Sequence, residues 1–317
     1  MKRRNLGTTD VSAIGLGCMG IAGVSGMAAM YGEGDKDEAV RTIHRALEIG
    51  IDFLDTAEVY GPYANEEFLG QALKGKRNKA FIATKFGFKI VDGRSRGTDS
   101  RPENIRAVCE ASLKRLQTDV IDLYQIHAFD KNTPLDESLA ALSKLVDQGK
   151  VRYLGCSNFA AWQLCKALWR AEVQGLHRLE SIQPNYNLAI RDIEQEILPL
   201  CADQQIGVIS YSPLGAGFLS GKYSKSWTAP AGTRFDIIPD HWAIYENPTS
   251  MNRMEKLRAK AAETGRSMVE LALAWVLGQP GITTTLIGAR NIGQVDQAFD
   301  AAAAGLSTEL RAELNSW

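Results

Sequence analysis

Three short runs decide how this chain folds: Ile51-Asp52-Phe53-Leu54-Asp55, Ala80-Phe81-Ile82-Ala83-Thr84-Lys85 and Ile121-Asp122-Leu123-Tyr124-Gln125-Ile126-His127. Each is apolar, of strand length, and ends on a titratable side chain. The stretches between them carry helical periodicity. Upstream, 14–19 reads as a strand and 37–49 as a helix with Val40, Ile43, Ala46 and Leu47 on one face and Gly50 as its stop. Helices are expected near 66–74 and from Pro102, where proline suits a first helical position and Ile105, Val108, Cys109, Leu113 and Leu116 share a face. Downstream the alternation continues: helix 135–148, strand 151–157, helix 162–172, strand 181–186, helix 193–204, strand 207–212 and strand 283–287.

Eight strands alternating with helices read as parallel β/α units of an α/β protein. A closed barrel and an open doubly wound sheet compete, and the unit count and the length of 317 residues favour the barrel. The expectation is a single TIM (β/α)8 barrel domain over 1–317, preceded by a polar hairpin-like segment. The stretch 213–249 is long, irregular and rich in Gly, Pro and aromatics, and loops of that length in compact domains are usually functional. It is expected at the carboxyl-terminal face of the barrel.

Composition narrows the function. With 36 basic against 37 acidic side chains, the net charge of −1 offers no long-range attraction to nucleic acid. Apolar runs such as 271–277 fall short of the ~20 residues of a spanning helix, so no membrane role is expected. The basic start, Met1 to Gly7, leads into polar residues rather than an apolar core, so no signal peptide is expected and the location is expected to be cytoplasmic. The five cysteines are scattered with no Cys-x-x-Cys, as for free thiols in a reducing compartment, and the four histidines lie far apart. No metal site is expected.

In a parallel barrel, reacting groups sit at the carboxyl ends of strands. Asp55, Lys85 and His127 all end strands, so they are expected at one rim. Ser157 and Asn158, Gln183 and Asn185, Tyr211, and Arg290 follow on the remaining strands. Tyr60 lies five residues beyond Asp55, in a loop able to fold back over that rim. A phenol titrates at ~10, and a neighbouring ammonium such as Lys85 is expected to lower that value. Asp55 would hold the lysine charged, and His127 could donate a hydrogen bond to a substrate oxygen. Together these groups make a proton donor to a carbonyl.

The segment Asp55-Thr56-Ala57-Glu58-Val59-Tyr60-Gly61, with Asn65-Glu66, Leu69-Gly70, the terminal Lys85 and His127-Ala128-Phe129-Asp130, resembles the signature of the aldo-keto reductase superfamily. The likeness runs from Gly15 to Gln294. It implies a barrel that reduces aldehydes and ketones to alcohols, reversibly, with a nicotinamide cofactor. It also implies catalytic roles for Asp55, Tyr60, Lys85 and His127, with the substrate a small carbonyl or alcohol.

By the same resemblance, Ser157, Asn158 and Gln183 would hold the carboxamide, for which amide side chains supply both donors and acceptors. Tyr211 would stack on the nicotinamide ring, and Met19 and Asp55 would border it. The segment 212–222, with Ser212, Leu214, Gly217 and Lys222, resembles the loop along the pyrophosphate, and Arg234 a further phosphate contact. Gly288, Arg290, Gln294 and Gln297 open the last unit, where Arg290 would suit the 2′-phosphate of NADPH over NADH. The Gly288-Ala289 pair resembles the branch that includes the potassium-channel β subunits. That branch admits an alternative: a nicotinamide-binding regulatory or sensor subunit with little turnover. A Schiff-base lyase using Lys85 would leave the residues of the later strands unexplained.

Gly15-Leu16-Gly17-Cys18-Met19-Gly20 matches the dinucleotide fingerprint, but 21–34 opens no clean helix, so it reads as the first barrel strand and its loop. His44 is expected to be structural, and Trp162 and Trp169, seven apart on one helix, to lie in the core. His241 could face substrate or solvent. Phe86, Phe88, Phe129, Trp227 and Trp242 are expected on rim loops as an apolar substrate wall.

Overall fold

The computed structural model describes residues 1–21, 35–223 and 229–317. The chain opens with β1 (Arg3–Leu6) and β2 (Thr9–Ser12), an antiparallel hairpin in which Arg3 faces Ser12. The barrel unit begins with β3 (Ile14–Gly17), a 3-10 turn at Cys18–Gly20 and α1 (Lys36–Glu48), whose N-cap Asp35 accepts from the amides of Asp37 and Glu38. Then come β4 (Phe53–Asp55), α2 (Ala64–Ala72) and β5 (Phe81–Phe86). A second hairpin, β6 (Phe88–Val91) and β7 (Arg94–Thr98), interrupts the alternation before α3 (Pro102–Leu116). The sequence continues through β8 (Ile121–Ile126), α4 (Leu135–Asp147), β9 (Val151–Ser157), α5 (Ala161–Val173), β10 (Leu179–Gln183), α6 (Ile197–Gln204) and β11 (Gly207–Ser210). It ends with α7 (Pro248–Thr264), α8 (Met268–Leu277), β12 (Thr284–Gly288), α9 (Ile292–Ala304) and α10 (Thr308–Asn315).

Strands β3, β4, β5, β8, β9, β10, β11 and β12 pair in that order, all parallel, and β12 returns to β3 to close the barrel. Closure leaves no sheet edge, and its stagger brings the carboxyl ends to one rim. The amino-terminal hairpin plugs the opposite end: Leu6 and Val11 pack with Phe53, Ala83, Leu123, Ile209 and Leu286. Arg4 pins it by donating to the carbonyls of Leu277 and Ile282. Outside the barrel, α2 and α3 approach so closely that a Cβ on Gly70 would lie 2.4 Å from the Arg115 carbonyl oxygen.

The barrel and its hairpin agree with the sequence reading; several local expectations do not. The first strand stops at Gly17 and the sixth covers Leu179–Gln183, because Pro184 offers no amide to the ladder. Helix 193–204 is instead a 3-10 turn at Asp192–Glu194 followed by α6. The stretch 213–249 holds 3-10 turns at Gly215–Ser220 and Pro239–Ile244 and a one-turn helix at Arg234–Ile237, with α7 beginning at Pro248. Trp162 and Trp169 are not core residues: they are 60% and 57% exposed. The buried face of α5 is Leu164, Ala167, Leu168 and Ala171, and the tryptophans share the face away from it. Phe86 is not on the rim but stacks on Tyr124 at 4.8 Å in the layer between strands and helices. His44 is tied down, its Nε2 2.9 Å from the Ala72 carbonyl oxygen. Trp227 and the segment 22–34 lie outside the described residues.

Candidate active site

Asp55 closes β4, Lys85 is the penultimate residue of β5, and His127 directly follows β8. The register sets Asp55 beside Ala83 and Lys85 beside Gln125, so the side chains climb the inner wall in steps. The turn after β4 stays fastened to β5: the amide of Thr56 donates to Ala83 and that of Glu58 to Lys85. This holds Tyr60 over the rim.

The Lys85 side chain is fully buried, and its amine donates to Asp55 Oδ1 at 2.5 Å, Thr56 O at 2.9 Å and Tyr60 Oη at 3.1 Å. Three acceptors match the three hydrogens of an ammonium. Asp55 Oδ2 accepts from Gln183 Nε2 at 2.8 Å, with Gln125 Nε2 at 3.5 Å. The His127 ring lies edge-on to Tyr60, centroids 5.8 Å apart. The four expected side chains therefore meet at one place.

Burial opposes charge on Lys85, but Asp55, Tyr60 and their hydrogen bonds outweigh it and raise the amine above its ordinary range. Burial, joined by the Lys85 charge, holds His127 well below its ordinary value, so the imidazole is neutral. Its Nδ1 is buried without a protein hydrogen-bond partner. For Tyr60 the sequence expectation fails: burial raises the phenol above its ordinary value and exceeds the opposing effect of Lys85. Cys18 is also enclosed here, and burial with the Asp55 charge pushes its thiol up, away from reactivity.

The neighbouring strand ends form a connected polar shelf. Ser157 Oγ donates to the Gln183 carbonyl at 2.8 Å, and Asn158 Nδ2 donates to the His127 carbonyl at 3.1 Å. Tyr211 Oη donates to Asn158 Oδ1 at 2.9 Å, and burial pushes this phenol up to about 12. Ser212 follows at φ 54, with Asn187 donating to its carbonyl at 3.0 Å. Leu214 leads into Gly215, Ala216 and Gly217, all at positive φ. The amine of Lys222 folds back against Gly217, where a Cβ would approach it to 2.8 Å. Partial burial and the charge of Arg290 lower Lys222, which brings these two cations into one neighbourhood.

Gly288 ends β12 with open space where a Cβ would stand. Beyond it, the Arg290 amide donates to Gln294 Oε1 at 2.8 Å, and Asn291 caps α9 through the Gln294 amide. Gln297 lies exposed one turn further on. Burial lowers Arg234 to about 10. Met19 sits half-buried in the turn after β3, whose Gly17 pairs with Asp55.

Of the aromatic residues, Phe88 packs on His127 at 4.7 Å, and Phe129 contacts Phe159 at 5.2 Å and Trp162 at 5.9 Å. Trp242 instead packs with Phe218, Tyr223 and Phe235 in the long connection. His241 is half-buried there, and burial with the Arg234 charge lowers it. Sequence reasoning passed over Gln125 and Phe159. For Gln125 the signal was present: Leu123, Gln125 and His127 alternate onto one face of β8.

The sequence model described as the Aldo/keto reductase family matches residues 13–317. A probable aldo-keto reductase of Glycine max is 37% identical over 301 residues, 94% of this chain and 83% of the relative. Among solved structures, a glycerol dehydrogenase of Gluconobacter oxydans superposes with a TM-score of 0.81 at 36% identity, covering 99% of this chain and 94% of that one. An aldo-keto reductase of Bacillus halodurans in its holo form also gives 0.81, at 32% identity over 100% and 96% of the two chains.

Proposed function

The chain belongs to the Aldo/keto reductase family of NAD(P)H-dependent oxidoreductases acting on carbonyl compounds, and from that premise we propose that it reduces aldehydes or ketones with NADPH, Tyr60 giving the proton. One observation carries this reading: the Lys85 ammonium bonds both the Asp55 carboxylate and the Tyr60 hydroxyl, beside a neutral His127.

The residues present fit a nicotinamide dinucleotide. Ser157, Asn158 and Gln183 carry the donors and acceptors a carboxamide needs, Tyr211 offers a flat ring, and the positive-φ segment with Lys222 and Arg290 suits phosphates. When bound, the cofactor supplies a hydride to the carbonyl carbon. Neutral His127 donates a hydrogen bond to the carbonyl oxygen and polarises it. Tyr60, its phenol kept protonated by burial, delivers the proton to that oxygen. Lys85 stabilises the phenolate left behind, and Asp55 with Gln183 holds the lysine in place. The 2′-phosphate of NADPH is assigned to Arg290, with Met19, Leu214, Gly217, Arg234, Gly288, Gln294 and Gln297 along the rest of the nucleotide.

Phe88 against His127, with Phe129, Phe159 and Trp162 beyond, supports an apolar or aromatic carbonyl as substrate. The chain is taken to act as one domain over 1–317. The five free cysteines suit the cytoplasm. Among the described residues no helix is long and apolar enough to cross a membrane. Nothing in the comparisons favours the binding-only alternative, and the charge held on Lys85 opposes Schiff-base chemistry, which starts from a neutral amine. The test is steady-state consumption of NADPH, and separately NADH, with aliphatic and aromatic aldehydes. Binding of NADPH with no multiple turnover on any of them would refute the proposal.

A further inference from the structure

Glu58 stands between Asp55 and Tyr60, is 3% exposed, and takes no part in the steps above. Its backbone amide donates to the Lys85 carbonyl at 3.3 Å, while its Oε1 accepts from the Gly87 amide at 3.2 Å. One residue thus grips the chain on both sides of Phe86, the last residue of β5. Gly87 adopts φ +115, which favours glycine, and its carbonyl accepts from the Asp99 amide at 2.9 Å. The carbonyl of Phe86 accepts from the His127 amide at 2.8 Å. The Tyr60 turn, the Lys85 strand and the start of the His127 loop converge on this junction.

We propose that Glu58 is a positioning residue for the reaction: its carboxyl group fastens the Tyr60 turn to Gly87, just after β5, and so sets the distance from the Tyr60 hydroxyl to the Lys85 amine. This rests on Tyr60 being the proton donor. The groups facing Glu58 are Glu66 on α2, Arg115 on α3, Asp99 after β7 and Tyr124 on β8. Arg115 is already committed to Glu66, at 2.7 Å, and Thr84 donates to the other oxygen of Glu66 at 2.6 Å. Burial, and then the charge of Glu66, push the Glu58 carboxyl up to about 8. At neutral pH it is an uncharged acid. Above about 8 it becomes a carboxylate; the Gly87 amide and Arg115 favour that form, but burial and the charges of Glu66 and Asp99 outweigh them, so ionisation works against the closed turn.

The experiment measures kcat and KM for carbonyl reduction against pH in the wild type, Glu58→Gln, Glu58→Ala and Tyr60→Phe, with melting curves for each. In the wild type, kcat falls as pH rises through about 8. Glu58→Gln, which keeps the acceptor and cannot ionise, retains neutral-pH kcat and lacks that fall. Glu58→Ala loses roughly 10- to 100-fold in kcat, the scale set by a misplacement of about 1 Å, with KM for NADPH unchanged. The proposal is overturned if the wild type shows no such fall, if the Gln variant keeps it or is as slow as the Ala variant, or if the Ala variant matches the wild type. Should the Ala variant fail to fold, the Gln profile decides. Full turnover in Tyr60→Phe removes the underlying proton-donor reading; an inactive Tyr60→Phe beside an unaffected Glu58→Ala removes only this inference.

Discussion

Replacing Lys85 with Met removes the cation bonded to Asp55 inside the barrel, where the two side chains are 0% and 4% exposed. Among the described residues, the carboxylate then keeps the hydrogen bonds from Gln183 and Gln125. At an effective dielectric of about 20, unit charges about 4 Å apart attract by about 4 kcal/mol. Breaking a buried pair by removing one partner typically costs about 3–5 kcal/mol, because the survivor stays desolvated. Lys85→Met is therefore expected to lose about 3–5 kcal/mol of stability, and Asp55→Asn a comparable amount by stranding the ammonium. The double variant Asp55→Asn/Lys85→Met strands neither charge, so its loss should fall short of the sum of the two by roughly 2–3 kcal/mol. Urea unfolding followed by circular dichroism reads this cycle through midpoints at constant slope. Losses that add to within about 0.5 kcal/mol would show that the two residues are not coupled, and the account of this pair would fail.

The remaining expectations concern the reaction. Tyr60→Phe should reduce kcat by about 10²- to 10⁴-fold, the usual contribution of a positioned proton donor, while fluorescence titration shows NADPH still bound. Arg290→Ala should raise KM for NADPH by about 10- to 100-fold, the equivalent of a charge-assisted hydrogen bond of about 1.5–3 kcal/mol, and leave NADH little changed. An equal effect on both cofactors would remove the 2′-phosphate assignment. Phe88→Ala should raise KM for aromatic aldehydes more than for short aliphatic ones, since the ring packs directly on His127. Because burial holds His127 neutral well below its ordinary range, reduction should stay level on acidification from pH ~7 to ~6; a loss with an apparent pKa near 6.5 would contradict this.

The sequence was most legible where one period governs an element. Runs such as 80–85 and 121–127 are apolar, brief and regularly separated, which dictates buried parallel strands, and their final polar residues mark the rim without further information. The hairpin β6–β7 was illegible because its second strand, Arg94–Thr98, is almost wholly exposed and carries no apolar alternation. The Trp162 and Trp169 error had a different origin. Large aromatics usually avoid water, but the buried stripe of α5 is set by smaller residues at the spacing of Leu164, Ala167, Leu168 and Ala171. Glu58 was visible only as a letter within a motif, since its partner Gly87 lies 29 residues further on, between β5 and β6.

The Tyr60 phenol shows how a pairwise argument from sequence can have the right participants and the wrong sign. An ammonium 3.1 Å away does favour the phenolate, yet enclosure of the same hydroxyl disfavours it by more, and the resting group stays protonated. That outcome suits carbonyl reduction, where the group must arrive carrying its proton. With Tyr60 as the proposed proton donor, Lys85 would act in proportion to the negative charge that develops as the proton leaves, so its attraction would be stronger in the transition state than in the ground state, the condition for a contact to raise kcat. The same balance fixes a direction with pH. On the proposed assignment, reduction would draw on the protonated phenol and is expected to decline as pH rises, whereas alcohol oxidation would need the phenolate and is expected to gain, which rate–pH profiles in the two directions would check. The enclosure that upset the expectation from sequence therefore keeps the proposed donor in its protonated form at neutral pH.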